Sequence, residues 1–313
     1  MELRTILIPL DGSHLAESAL PYAEALAAPS HARLVLVHAV PGFPFSAAGD
    51  DRTVADDAEQ HLERVAASLD ARVGITVLIG DTAPVIAREA WQRRADLIVM
   101  AMRARERLEG CLHGSVAEQV LTRSRVPLLL VRAGHAGLRR NALTEHPLVL
   151  VPLDGSLLAE AALALAADLA QTLGGELLLV QSSAPPGPLP DEVLGSDFHM
   201  PDRLSATARP YLYQIADSLV RSFHIARPQV EARTGTTVVV LAEAIHAHNV
   251  ALVVMAADSR VGGRNRLLEN VVDVLVRSEA VPLILVRRHA VNRAPVGILP
   301  AMSRIGGGFR TSA

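Results

Sequence analysis

The chain carries one passage twice. Ile6-Leu-Ile-Pro-Leu-Asp-Gly-Ser-His-Leu-Ala-Glu-Ser-Ala-Leu20 returns as Val149-Leu-Val-Pro-Leu-Asp-Gly-Ser-Leu-Leu-Ala-Glu-Ala-Ala-Leu163, with Asp11 and Asp154 spaced by 154 − 11 = 143 positions. That period exceeds the roughly 20 to 50 residues of a solenoid unit. It is the size of a domain, so a chain of 313 residues is expected to hold two similar ones. What one copy builds, the other should build too.

Each copy alternates apolar runs with helical patterns. In the first, the runs Thr5–Leu10, Arg33–Val40, Gly74–Ile79, Asp96–Met100 and Val126–Arg132 read as strands. Helical periodicity falls on Leu15–Ala28, Asp56–Ala71, Ala83–Arg94 and Ser115–Arg123. The second copy places strands at Leu148–Leu153, Glu176–Gln181, Gln229–Arg233, Ala251–Met255 and Pro282–Arg287. Strands separated by helices of this length imply βαβ units, hence a parallel sheet with helices on both faces. Late landmarks such as Pro127 and Pro282 are 282 − 127 = 155 apart, so 155 − 143 = 12 extra residues enter the second copy. The stretch Ser182–Leu204, rich in Pro, Gly and Asp, is expected to hold them as a surface loop.

Half the residues are hydrophobic but only 3% are aromatic. The core must then come from Ala, Val, Leu and Ile, which suits buried parallel strands. A net charge of −3 gives no general surface for nucleic acid or anionic membrane. Cys111 is the only cysteine, which excludes an intramolecular disulfide. Met1–Arg4 runs straight into a strand pattern, without a signal-peptide core or an apolar run of about 18 residues. A cytoplasmic location is expected.

Ligands of open parallel sheets sit at the carboxyl ends of the strands, where strand order reverses. Three pieces of the first copy should gather there. Asp11-Gly12-Ser13 ends the first strand; Asp11 is either an acceptor for a ligand hydroxyl or amine, or a turn carboxylate bonded to nearby backbone. Gly114-Ser115-Val116-Ala117-Glu118 opens a helix with capping-box spacing, and its free N–H groups suit either a phosphate or an ordinary cap. The loop Ala101–His113 holds Arg103, Arg105, Arg107 and His113. It is either a cationic lid or a solvated loop in which Glu106 and Glu109 offset the arginines.

Other chemistries find little. The twelve histidines include no His-Glu-x-x-His, and His246 and His248 fall on different helix faces. Neither a nucleophile elbow nor a Walker-type loop occurs. A Cys111–His113 pair has no third group to orient it. No residue set commits the chain to catalysis.

In combination and order, these elements resemble the universal stress protein family in a tandem form. The carrying features are Pro9-Leu-Asp-Gly-Ser13, Leu34-Val-Leu-Val-His38, Ala95-Asp-Leu-Ile-Val-Met100, Gly114-Ser-Val-Ala-Glu118 and Val126-Pro-Leu-Leu-Leu-Val-Arg132. The resemblance covers about Leu3 to Arg132 and Leu148 to Arg288. It implies two Rossmann-like, adenine-nucleotide α-hydrolase-like α/β domains, each with five parallel strands and helices on both faces. Members dimerise along the last strand, so the two halves would pair as an intramolecular pseudo-dimer through Val126–Arg132 and Pro282–Arg287. The tether makes that pairing intramolecular, at an effective concentration of about millimolar. The domains would span 1–136 and 148–289, with a linker over 137–147 and a disordered tail over 290–313.

Some members bind ATP through Gly-x-x-Gly-x9-Gly-Ser/Thr after the fourth strand. Carried over, that motif begins after Met100 and falls on Ala101, Ala104, Gly114 and Ser115, with Val116 following. The first half thus keeps the motif's end and replaces its first two glycines. The family's strand-one aspartate falls on Asp11, and the residue near the adenosine on Ala39 or Val40. In the second half the same positions are Ala256, Ser259, Glu269 and Asn270, although Asp154 persists. A carboxylate in the phosphate cradle repels a polyphosphate, by roughly 4 kcal/mol for unit charges about 4 Å apart at an effective dielectric of about 20. The resemblance therefore implies ATP or another adenine nucleotide in the first half only, in a stress-response or signalling module. Its partner would be an unidentified protein, with no nucleic acid or membrane, and further homodimerisation is open. Two alternatives stand beside it: a ligand-free scaffold working through protein contacts, and a slow hydrolase of ATP or a small molecule.

Overall fold

The computed structural model describes residues 3–40, 50–102, 116–133, 143, 146–183, 201–257, 271–272, 275 and 281–287. The first half builds β1 (Thr5–Pro9), α1 (His14–Glu17), α2 (Leu20–Ala27), β2 (Arg33–Val40), α3 (Asp50–Ala67), β3 (Val73–Ile79), α4 (Thr82–Gln92), β4 (Leu97–Met102), α5 (Val116–Arg123) and β5 (Leu128–Arg132). The second builds β6 (Leu148–Leu153), a 3-10 turn (Ala159–Ala162), α6 (Leu163–Thr172), β7 (Glu176–Ser183), α7 (Pro201–Phe223), β8 (Gln229–Thr234), α8 (Thr237–Ala247), β9 (Leu252–Ala257) and β10 (Leu283–Arg287).

The ten strands among the described residues join one sheet, in the order β3-β2-β1-β4-β5-β10-β9-β6-β7-β8. Pairing is parallel within each half and antiparallel only between β5 and β10. There Leu283 meets Leu130, Ile284 meets Leu129 and Leu285 meets Leu128, all of them buried. The expected pseudo-dimer is thus a continuous sheet, joined along the last strand of each half.

Two cores cover the two faces, and each runs through both halves. One holds Ile6, Leu34, Leu62, Val149, Leu212 and Ile215 under α1–α3, α6 and α7. The other holds Leu7, Ile86, Val120, Leu150 and Leu241 under α4, α5 and α8. Central strands are buried on both sides, which is why they read as unbroken Val/Leu/Ile runs rather than alternating ones. The outer strands β3 and β8 are only half-buried and are guarded by charge. Arg93 donates to Glu89 and Thr76 beside β3, while Arg233 engages Glu231 and Glu243 beside β8. Charged side chains of this kind discourage edge-to-edge pairing.

Three local expectations need correction. The single helix expected over Leu15–Ala28 is two, because Ser18 and Ala19 turn back to Leu15 and Ala16 with tight bonds of 3.1 Å each. Pro21, without an N–H, cannot restore the regular ladder. The second half has the 3-10 turn at the same place although Ala164 stands where Pro21 does, so the break belongs to the fold and proline only reinforces it. α3 begins earlier than the expected Asp56 and stops at Ala67 rather than Ala71. Leu69 and Ala71 keep the apolar spacing because they pack on the core after the helix has ended. The insertion is also narrower than Ser182–Leu204: Ser182 and Ser183 finish β7, and residues 201–204 already belong to α7.

Packing across the β5–β10 seam should contribute to stability as other buried leucine contacts do. Leu130→Ala is expected to lower the unfolding free energy by about 2–5 kcal/mol, as for other buried leucines. Urea denaturation monitored by circular dichroism measures the loss.

Candidate functional site

Strand order reverses between β1 and β4 in the first half and between β6 and β9 in the second. These are the points where connections leave in opposite directions and open a crevice at the carboxyl edge. Because β5 and β10 are antiparallel, the two crevices open at opposite edges of the sheet. Among the described residues, the carboxyl edge of each half therefore lies at the opposite side of the sheet from the other half's crevice.

The first crevice begins at Asp11, exposed just beyond β1. Its Oδ1 accepts from the Ser13 N–H at 3.0 Å and from the Ser13 hydroxyl. Ser13 Oγ in turn accepts from the Ala16 N–H at 3.2 Å, capping α1. Gly12 takes φ +81°, a left-handed conformation that favours glycine. The second half repeats this: Asp154 accepts from the Ser156 N–H at 2.9 Å, Ser156 caps the Ala159 N–H at 3.2 Å, and Gly155 has φ +81°. One oxygen of each aspartate is therefore committed to its own turn.

Ala39 lies half-buried near the end of β2, paired with Leu78. Met100 is buried in β4 opposite Leu130. Ala101 was expected in the loop after the strand, but β4 continues to Met102 and pairs Ala101 with Val131. It is absent from the left-handed positions, so alanine replaces glycine there without backbone strain. Val116 opens α5 and is 39% exposed. Asp11, Ala39, Ala101 and Val116 thus share the carboxyl edge of the first half. Ala104, Gly114, Ser115 and the lid arginines lie outside the described residues, as do Glu269 and Asn270.

Two histidines complete the floor of this crevice. His38, at the end of β2, sits beneath the Asp-Gly-Ser turn, with its Cε1 4.0 Å from where a Cβ on Gly12 would stand. Its Nδ1 is buried and has no hydrogen-bond partner among the described residues. Burial pushes the imidazole below its ordinary value; neighbouring His61 adds to this and Asp11 opposes it. His61, from α3, approaches Glu17 at 3.5 Å, within ion-pair range but outside hydrogen-bond geometry, and His14 meets the other Glu17 oxygen at 3.3 Å. His38 was visible in the sequence only within Leu34-Val-Leu-Val-His38, one of the features that carry the family resemblance. His61 gave no signal, since only tertiary packing of α3 brings it to α1.

The second crevice keeps the carboxylates and loses the imidazoles. Gln181 stands where His38 does and Ala216 where His61 does, while Glu160 repeats Glu17. Glu160 is nearly buried and accepts from the Tyr211 hydroxyl at 3.0 Å. Burial raises its carboxyl above the ordinary range, the tyrosine hydrogen bond holds it back in part, and Asp154 adds to the rise. Among the described residues no group of three or more His, Cys, Asp or Glu is placed to hold a metal ion.

A family model described as the universal stress protein family matches residues 2–132 and 148–287. The chain belongs to the universal stress protein family. Curated members resemble one half at a time. A universal stress protein of Thermus aquaticus is 34% identical over 135 residues, 41% of this chain and 98% of that one. Another from Methanocaldococcus jannaschii is 29% identical over 139 residues, 41% of this chain and 82% of that one. Among solved structures, a universal stress protein from Archaeoglobus fulgidus aligns over 92% of this chain and 100% of its own, with a TM-score of 0.70 at 20% identity. That likeness covers both halves and supports the fold. No helix among the described residues is long and apolar enough to cross a membrane.

The buried His38 makes acid stability testable. Its folded-state value lies below the ordinary imidazole value, so the unfolded chain takes up the proton first as pH falls. Stability contributed by neutral His38 is complete above about pH 6.5 and is lost on acidification below it. His38→Gln, the residue found at position 181, should lose less stability between about pH 7.5 and 5.5 than the parent. Urea midpoints across that range provide the comparison, and parallel profiles would exclude the effect.

Proposed function

We propose that the first half is an adenine-nucleotide-binding regulatory module and the second a structural partner without a phosphate cradle. The observation that carries this reading is the asymmetry of the two crevices on one framework. Both keep the aspartate turn, whose internal hydrogen bonds are nearly the same, so the turn alone does not distinguish a ligand site. Only the first half retains Gly114-Ser115 ahead of α5, where backbone N–H groups favour a phosphate and glycine admits close approach. The second half carries Glu269-Asn270 at those positions.

In this reading the uncommitted oxygen of Asp11 accepts from a ribose hydroxyl, Ala39 and Met100 flank the nucleoside, and the start of α5 takes the phosphates. Val116 is the exposed first residue of that helix. Ala101 adds a methyl to the strand end without strain, which leaves Ala104 as the one uncompensated departure from the motif. Occupancy would alter contacts with a protein partner in the cytoplasm. The alternative, a scaffold that binds no nucleotide, is favoured by the same committed oxygen of Asp11, which a turn explains without any ligand.

Calorimetric titration of ATP, ADP and AMP decides between them. The parent is expected to take nucleotide, and Gly114→Asp to weaken it by at least about tenfold through charge repulsion and lost approach. No heat from the parent up to about millimolar ligand would leave the scaffold reading standing. Binding that survives Gly114→Asp would place the ligand elsewhere.

A further inference from the structure

The proposed phosphate cradle sits at the start of α5, and α5 is a short helix. Its eight residues, Val116–Arg123, are too few to be stable alone. Ala117, Val120 and Leu121 dock it on the sheet, which fixes its distance from the strands. Its position along its own axis depends on its ends. The last carbonyls of a helix have no partner within the helix and must find one outside it.

Two carbonyls at the end of α5 find theirs in the other half of the molecule. Arg287, the last residue of β10, donates through Nη1 to the Thr122 carbonyl at 2.5 Å and to the Ser124 carbonyl at 2.9 Å. These contacts join residues more than 160 positions apart and are partly buried. Ser124 is itself buried and accepts from the Val126 N–H, closing the turn into β5. The seam puts Arg287 there: Leu285 pairs with Leu128, and two residues further β10 reaches the level where the chain leaves α5. A guanidinium is charged throughout the accessible pH range, and a cation at a helix C-terminus complements the helix dipole. Arg132 occupies the equivalent place at the end of β5, 287 − 132 = 155 positions earlier.

We infer that Arg287 is a positioning residue for the first-half site: the second half grips the C-terminus of α5 and so fixes the N–H groups at its start. The inference rests on the nucleotide reading above. It gives the second half a role in that reading although its own cradle is gone. A shift of the helix along its axis by even about 1 Å would misalign its first N–H groups with a bound phosphate.

The test uses the full chain as parent, Arg287→Met and Arg287→Lys. Amide hydrogen exchange is read over 116–126, with β1 and β2 as internal reference, and ATP is titrated by calorimetry into each. Arg287→Met should exchange about tenfold faster or more over 116–126, with the reference strands unchanged, since two charge-assisted bonds are lost. Its Kd for ATP should rise by about fivefold or more. Arg287→Lys should recover part of both effects, because an ammonium still donates to one carbonyl. Unchanged exchange over 116–126 in Arg287→Met overturns the inference, and so does faster exchange with an unchanged Kd. A parent that takes no ATP sinks the nucleotide reading by itself and with it the positioning role; the exchange result then still decides whether Arg287 holds α5. Should Arg287→Met fail to fold, Arg287→Lys carries the test, and parental values in both measurements overturn the inference.

Discussion

The antiparallel pairing of β5 with β10 is the contact on which most other features depend. Each half ends its sheet on a strand of buried leucines whose outer backbone edge would otherwise be unpaired. Such an edge is an open invitation to association. Joining the two edges within one chain satisfies both ladders and merges the cores above and below the sheet. The same pairing dictates that the two crevices face opposite ways. It also delivers Arg287 to a helix that the other half folds.

Duplication allowed those crevices to diverge while the frame stayed fixed. The Asp-Gly-Ser turn keeps its hydrogen bonds and its left-handed glycine in both halves. Other left-handed positions also coincide: His31 with Gly174, Gly80 with Gly235, and Arg94 with Asn249. These are places where the backbone path leaves no alternative, so they survive changes of residue type. The floor of the crevice is free of that demand. There the first half places His38 and His61 and the second places Gln181, Ala216 and the Glu160–Tyr211 pair. The first floor thus carries two imidazoles, whereas the second has exchanged them for an amide, a methyl and a tyrosine-bound carboxyl.

Element order and strand direction were legible because buried parallel strands leave a continuous apolar signal that local sequence carries, whereas the seam was implied only by the family resemblance. The ends of elements were less so. α3 stops at Ala67 although apolar spacing continues, since Leu69 and Ala71 serve the core from an irregular segment. The break between α1 and α2 escaped notice because its cause is a pair of tight backbone bonds, not a residue pattern. Of the site, Asp11 and the strand-end residues could be placed from sequence, because a strand's end and the turn after it lie next to each other in the chain. Ala101 falls in β4 because the strand runs two residues beyond the expected Met100 (102 − 100), and His61 gave no signal, since its partner Glu17 lies 44 positions earlier (61 − 17).

By itself the sequence determined that there are two copies of one α/β unit and that only the first copy keeps a glycine-serine helix start. Those facts are written in local composition and in the repeat. Tertiary structure decided how the copies meet, that their crevices point apart, that imidazoles from β2 and α3 share one floor, and that an arginine of one copy holds a helix of the other. Each of these depends on residues far apart in the chain reaching contact distance, which only the packed sheet and its helices bring about.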